Sequence, residues 1–484
     1  MKIKNLLLLT LSMPLGLFAQ NGYEIKVKMK NFKNDGYLYL AYHFGKKQML
    51  VDSAILNTEG EATFKGTKKL DGGIYLVAFP KKDGWFEIVI DKELHFSAAA
   101  DTSNYKDPVK FTGSPDNTLF REYQDYSMEI GLKLNDLRKD LEKQKTKQDS
   151  TTIQSQMDVL NKDVNEYRLK FIKEHPKHLL TTVFNIMKEP EIPDSIKDQT
   201  QKYYYYRDHF WDDINLLDAR MLRTPVFEGK LDRYFDQIIP QDVDTLKSFC
   251  DDFILSTRAD STMHRYMLTH LAEKYVNPKF MGQDAVYVHI FQKYFIPNED
   301  TAWMPKDYKK YMFERGYSLM ANSLGDKGAD IILTDTTGKL VSLYAVQAPY
   351  TVVCFWDPNC SHCQKEIPQM DTIYHKKWKA LGVKLFGINN DTAKTKWVQF
   401  IRDKNLKDWI HVYEKDDARR AQIRSGKPGI RQLYDVNVTP TIYLLDKDKR
   451  IIAKKLTIEQ LDDFLDYKIK KEKENPKPNP NTKK

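Results

Sequence analysis

The sequence predicts a multidomain chain with an N-terminal β-sandwich-like domain, an α-helical middle domain and a C-terminal α/β domain. Three observations predict it. Near the start, Tyr23, Ile25, Val27 and Met29 alternate singly with polar residues, the period of a half-buried strand. After Ser114 the apolar period lengthens to that of a helix. From about Gly325, short β-branched runs return, now separated by helical stretches. The boundaries implied are 20–112, 113–325 and 326–470.

Taken in order, the chain opens with Lys2 and Lys4, an apolar run from Leu6 to Phe18, and the small residue Ala19. This is the layout of a secretory signal peptide over residues 1–19. The run is short for a membrane span, and no cysteine follows it to carry a lipid. The expectation is an exported protein with no stable membrane span once cleaved, placed in the periplasm, with secretion as the alternative. The 484 residues are 41% hydrophobic and include seven Trp, enough for several cores, and this excludes a disordered protein. The net charge of +9 is interspersed with acids and forms no basic stripe with aromatics, which excludes nucleic acid as a partner.

Turn signals at Asn34-Asp35-Gly36, Thr58-Glu59-Gly60 and Asp71-Gly72-Gly73 divide the first region into short strands, and Phe86, Ile88 and Ile90 continue the alternation. A small antiparallel sandwich or barrel follows from this spacing. Ser114 is a helix cap and Pro115 suits a first turn. Tyr123, Ile130, Leu134, Leu137 and Leu141, then Met157, Leu160, Val164, Tyr167 and Phe171, recur at helical spacing and predict a helical hairpin. Helical signals continue to about Ala321. In the last region, 331–334 and 340–343 read as a hairpin, and 351–356 and 383–388 as buried strands. One long helical stretch then leads to a strand at 441–445, paired with 450–453. A final helix covers 458–467, and the Lys-, Pro- and Asn-rich tail, 471–484, is expected to be disordered.

The chemistry concentrates at Asp357-Pro358-Asn359-Cys360-Ser361-His362-Cys363, directly after the strand ending in Trp356. A helix starting at the first cysteine turns unpaired backbone N–H groups toward its sulfur and stabilises a thiolate. Cys360 is the candidate attacking sulfur, and Cys363, one turn later, the resolving one. His362 between them favours the Cys360 thiolate when protonated. Glu366, one turn beyond Cys363, disfavours that thiolate or moves its proton. Trp356 is a candidate for the substrate surface. At Val438-Thr439-Pro440 a cis-proline suits the position, turning the Thr439 backbone toward the sulfurs so that an extended substrate pairs with it. No metal or other cofactor is called for, because no second ligand pair completes a zinc site. A peroxidase frame, Pro-x-x-x-Thr-x-x-Cys, is missing. Cys354 and Cys250 read as buried and inert. The aromatic run from Tyr203 to Trp211 and the pair His175 and His178 read as packing and helix-end residues rather than a binding platform and a metal pair.

These features together resemble the TlpA/ResA-like branch of the thioredoxin superfamily: the hairpin, the strand ending Phe355-Trp356, the Cys-Ser-His-Cys motif, Glu366, Pro368 and Thr439-Pro440-Thr441. The resemblance covers about the last third of the chain. It implies a thioredoxin-like fold and a thiol–disulfide oxidoreductase that reduces disulfides of cell-envelope proteins. It also implies a membrane thiol carrier as electron donor and a functional acid at Glu366. Ser361-His362 departs from the Glu-Pro and Pro-type pairs common in the branch, and moves the motif toward oxidising relatives. A disulfide oxidase or isomerase is therefore the alternative enzyme, and a non-catalytic envelope adaptor the alternative outside enzymes. The β-rich and helical regions are similar to the domains that accompany such thioredoxin domains in Bacteroidetes-type envelope proteins.

Overall fold

The computed structural model describes residues 22–30, 36–80, 84–101, 109–143, 147–297, 301–390 and 394–474. The signal-peptide segment 1–19, the Asn34-Asp35 part of the first turn and residues 475–484 of the tail lie outside the described residues. The chain forms two compact units, residues 1–239 with 257–263, and residues 240–256 with 264–484.

The first unit opens with eight strands: β1 (Tyr23–Lys30), β2 (Gly36–Phe44), β3 (Lys47–Leu56), β4 (Glu61–Gly66), β5 (Gly73–Ala78), β6 (Trp85–Ile90), β7 (His95–Asp101) and β8 (Lys110–Thr112). They make two four-stranded sheets, ordered β4-β1-β7-β8 and β3-β2-β5-β6. The alternation seen in the sequence is the alternation of burial. Ile25, Val27 and Met29 of β1 point into the shared core with Leu38, Phe64, Val77 and Ile88. The sandwich is not purely antiparallel as expected, because β1 pairs with β7 in parallel, Glu24 opposite His95 through Lys30 opposite Asp101. Val89 and Ile74, on the other face of β5 and β6, pack against Phe120, Phe171 and Phe184.

Those aromatics come from the helices of the unit, α1 (Pro115–Lys143), α2 (Lys147–Glu174), α3 (Leu179–Met187), α4 (Gln199–Asp208) and α5 (Phe227–Arg233). Ser114 does take part at the start of α1, its Oγ accepting from the Asn117 N–H at 3.3 Å. His178 caps α3, with Nδ1 accepting from the Leu180 N–H at 3.0 Å. Of the aromatic run, Phe210 is buried against Tyr234, and Tyr203 and Tyr204 are partly exposed.

The second unit contains α6 (Val243–Ser256), most of α7 (Ser261–Val276), α8 (Asp284–Ile290) and α9 (Lys306–Met320), and then the α/β region. Its strands are β9 (Ile332–Asp335), β10 (Leu340–Ser342), β11 (Tyr350–Trp356), β12 (Lys384–Asn389), β13 (Ile410–Tyr413), β14 (Thr441–Asp446) and β15 (Ile451–Lys454), in the order β10-β9-β13-β12-β11-β14-β15. Helices α10 (Ser361–Ile373), α11 (Lys394–Asp403), α12 (Asp416–Ser425), α13 (Ile430–Leu433) and α14 (Ile458–Glu474) connect and cover them. The expected hairpin is β9–β10. β13 was not expected, and interrupts what reads as one helical stretch. α14 runs seven residues past the expected end and takes Lys471–Glu474 out of the expected tail.

β11 is central, parallel to β12 and antiparallel to β14, and all seven of its residues are buried. Val352, Cys354 and Trp356 face one core, and Val353 and Phe355 the other. Burial on both faces explains its unbroken apolar run. Within this unit, Arg315 of α9 forms an ion pair with Asp435, and buried Lys454 of β15 reaches Asp284 of α8 and Asn322. Among the described residues no helix is long and apolar enough to cross a membrane.

Candidate active site

β11 ends at Trp356 and the chain turns sharply into α10. The turn follows from Asp357-Pro358-Asn359: the Asp357 carboxylate accepts from the Asn359 N–H at 2.7 Å, and the Cys360 N–H donates to the Asp357 carbonyl at 3.1 Å. Cys360 has extended backbone (φ −79°, ψ 124°) and is the N-cap of α10, one residue before the helix rather than its first residue. Pro368 lies inside α10, so the Gln364 carbonyl has no helical donor.

All four cysteines are free thiols, so the pair stands in its dithiol form. The two sulfurs differ. Cys360 is half-buried, and its thiol donates to the Thr439 carbonyl oxygen at 3.3 Å. Partial desolvation pushes its pKa up. The backbone N–H of Cys363, the Thr439 side chain, the Cys363 thiol and the N–H of His362 outweigh that and hold Cys360 below an ordinary thiol. None of the first-turn N–H groups makes a full capping bond to the sulfur, so their pull is that of oriented dipoles. Cys363 is fully buried. Burial pushes its thiol up to about 12, against the opposing N–H of Asp357, which donates to its sulfur at 3.5 Å.

The Thr439–Pro440 peptide bond is cis, as the sequence suggested, and both residues are half-buried beside Cys360. Val438, just before them, is 72% exposed. This places the backbone of residues 438–440 at the surface next to the attacking sulfur. Glu366 is half-buried one turn beyond Cys363. Cys354, on β11, is held well above an ordinary thiol by burial first, and then by Cys363 and Glu366. Glu366 and Cys363 therefore act on one buried spot. The His362 side chain is exposed.

Trp356 is not on the substrate surface. It is completely buried, tilted against Phe400 at 5.2 Å between ring centroids and edge-on to His411 at 6.1 Å, and serves the core. Cys250 is also completely buried, on α6, with its pKa raised by desolvation and by Asp251. Two contributors were not singled out from the sequence. Asp357 supplies both the turn and an N–H to Cys363, and the Asp-Pro-Asn turn signal before the first cysteine was the clue. Arg431, in α13, acts electrostatically on Asp357 from about seventy-five residues downstream, and no local pattern marks it. Among the described residues, no group of three or more His, Cys, Asp or Glu side chains is arranged to hold a metal ion.

With this geometry described, likeness to known proteins adds context. Residues 324–454 match the AhpC/TSA family. Residues 23–120 match DUF4369 and residues 139–320 match DUF5106, both domains of unknown function. The thiol-disulfide oxidoreductase ResA of Bacillus cereus is 27% identical over 145 residues, 29% of this chain and 76% of the relative. A solved domain of a possible thiol-disulfide isomerase from Cytophaga hutchinsonii is 37% identical and covers 31% of this chain and 97% of its own, with a TM-score of 0.28. A thioredoxin-like protein from Bacteroides caccae is 23% identical over 58% of this chain and 98% of its own, with a TM-score of 0.47.

Proposed function

Since the chain belongs, through its C-terminal thioredoxin-like domain, to the ResA-like thiol–disulfide oxidoreductases, we propose that it works as a reductase of disulfides in cell-envelope proteins. The observation that carries the reading is the asymmetry of the two thiols: Cys360 accessible with a lowered pKa, Cys363 buried and held at about 12.

The Cys360 thiolate attacks a substrate disulfide aligned along Thr439 and Pro440. One substrate sulfur leaves as a thiolate, and a mixed disulfide joins the other to Cys360. Cys363 then gives up its proton with the help of Glu366 and attacks the Cys360 sulfur. The second substrate thiolate leaves, two electrons have passed to the substrate, and Cys360–Cys363 is a disulfide. A membrane thiol carrier returns the electrons. The signal-peptide layout of residues 1–19 supports action in the periplasm.

The thiols bear on the direction from two sides. A dithiol becomes a strong oxidant when a low-pKa thiolate stabilises its reduced form. The lowered pKa of Cys360 pulls toward that end, while the protonated Cys363 and the exposure of His362, where solvent and salt screen a charge, support the reductase reading. Glutathione titration of the protein tests this. The expected potential lies near the thioredoxin value of about −270 mV. A value near about −120 mV overturns the direction and makes the protein a disulfide donor.

A further inference from the structure

Within the second unit runs a groove of about 530 Å³ between α9 and the α12–α13 segment, lined among others by Arg315, Glu414, Arg419, Arg431, Asp435 and Asn437. Its far wall leads to the active site by two routes. Asn437 stands two residues before Thr439, at most about 7 Å along an extended chain. Arg431 acts electrostatically on Asp357, whose N–H binds the Cys363 sulfur. Arg431, Arg419 and Glu414 also border a small cleft against Phe355 and Asn390, at the ends of β11 and β12.

The groove is lined by three arginines and three carboxylates, and two of the carboxylates are also engaged by lysines outside the lining. Asp435 is taken up by Arg315 and Lys455. Glu314, at the rim, pairs with Lys310 at 4.0 Å. Among the described residues of the lining, Glu414 is then the one remaining carboxylate beside Arg419 and Arg431, with Asp357 outside the groove also attracting Arg431. Arg419 and Arg431 are close enough to repel each other, and among the described residues neither makes a salt bridge or a side-chain hydrogen bond. Burial pushes the Glu414 carboxyl up, against the pull of both arginines. Arg315, with Nη1 donating to Asp435 and Nη2 to the Val276 carbonyl and Asn277 Oδ1, keeps a buried Nε–H without a partner.

We propose that this groove is a specificity subsite that takes a carboxylate side chain of the polypeptide substrate, so that disulfides flanked by Asp or Glu are exchanged in preference. The guanidinium fork suits a carboxylate in two-point contact. A substrate lying along Thr439 with its cysteine at Cys360 brings residues two or three positions away into the groove. The subsite rests on the reading of Cys360 and Cys363 as exchanging with protein disulfides.

Single-turnover reaction of the reduced protein with three peptide disulfides tests it. The peptides differ only in carrying Glu, Gln or Lys two and three residues from the disulfide. The expected order of rate constants is Glu above Gln above Lys. Glu should exceed Gln by about 3- to 10-fold at low salt, the scale of one or two partly exposed ion pairs. The ratio should shrink at 1 M salt, where screening acts over about 3 Å. In Arg419→Gln/Arg431→Gln the ratio should fall to about one, while Arg419→Lys/Arg431→Lys should keep most of it. Equal rates for all three peptides, or an unchanged ratio in the Gln double variant, overturn the subsite alone. No exchange with any peptide removes the exchange reading, and the subsite with it.

Discussion

Beside the edge strand β6, the amide of Asn117 has every polar atom matched. Its Oδ1 accepts from the Val89 N–H at 2.7 Å, and its Nδ2 donates to the Val89 carbonyl at 2.8 Å and to Ser114 Oγ at 2.9 Å. Under the sheet that carries the dithiol, His411 is treated differently. Its Nε2 lies 2.8 Å from the Leu406 carbonyl, which only accepts, so Nε2 carries the proton. Nδ1 is then a buried lone pair, and it has no partner, like the indole N–H groups of Trp356 and Trp397 nearby. Gly387 lies between them, and a Cβ there would stand 3.1 Å from both His411 Nδ1 and Trp356 Nε1. Both side chains bury polar groups, but only Asn117 repays each lost hydration with a hydrogen bond. The seam around Asn117 is not matched throughout, since Asp116 Oδ2, Arg121 Nε and Ser127 Oγ on the same helix are buried without partners. The contrast is between one fully matched amide and one half-matched imidazole.

The largest effect that tests this contrast is chemical. With Cys360 below the ordinary thiol value and Cys363 at about 12, their thiolate fractions at pH 8 differ by about 10³ or more. Iodoacetamide at pH 8, followed by peptide mapping, should label Cys360 alone in the folded reduced protein. Comparable labelling of Cys363 would remove the division into attacking and resolving sulfurs.

The next effect concerns the matched region. Asn117→Ala leaves the N–H and carbonyl of Val89 buried without partners, at about 1–3 kcal/mol each. Denaturant unfolding of the full chain should show the first unit destabilised by about 2–4 kcal/mol, with the Cys360 alkylation rate unchanged. A loss under about 0.5 kcal/mol, the level of an ordinary surface substitution, would mean that the seam is not held by these bonds.

The sequence made much of this legible, and the misses have physical causes. Alternation over Tyr23–Met29 and the unbroken apolar run of β11 are strong because burial repeats over many residues. The strand, turn and helix around Cys360 and the proline at 440 are local arrangements that a few adjacent residues specify. β13 was hidden because four residues, Ile410–Tyr413, are too few to establish a period between two helices. The parallel pairing of β1 with β7 joins segments about seventy residues apart, and nothing local encodes a partner. Trp356 was placed on the substrate surface because an aromatic at a strand end suits either a surface or a core, and only the arrival of Phe400 and His411 decides. The pairing of Arg419 and Arg431 beside Asp357 is likewise made by the fold.

The smallest expected effect isolates the unmatched histidine. Burial lowers the His411 pKa from 6.5 to about 4, despite the opposing hydrogen bond to Leu406. Between these values the unfolded chain binds the proton and the folded one does not. The stability of the neutral, buried ring is therefore complete above about pH 6.5 and falls as pH drops toward 4. At pH 5 the loss for this one group is about 2 kcal/mol, from about 1.5 units at 1.36 kcal/mol each. Carboxylates titrate in the same range, so the informative quantity is the difference between the wild type and His411→Gln. Unfolding followed by tryptophan fluorescence, with Trp356, Trp397 and Trp409 packed around this ring, should show the wild type losing about 2 kcal/mol more than the variant between pH 7.5 and 5. Equal losses would mean that His411 is protonated in the folded state at pH 5. The unmatched Nδ1 would then carry a proton, and the contrast with Asn117 would be one of charge rather than of missing partners.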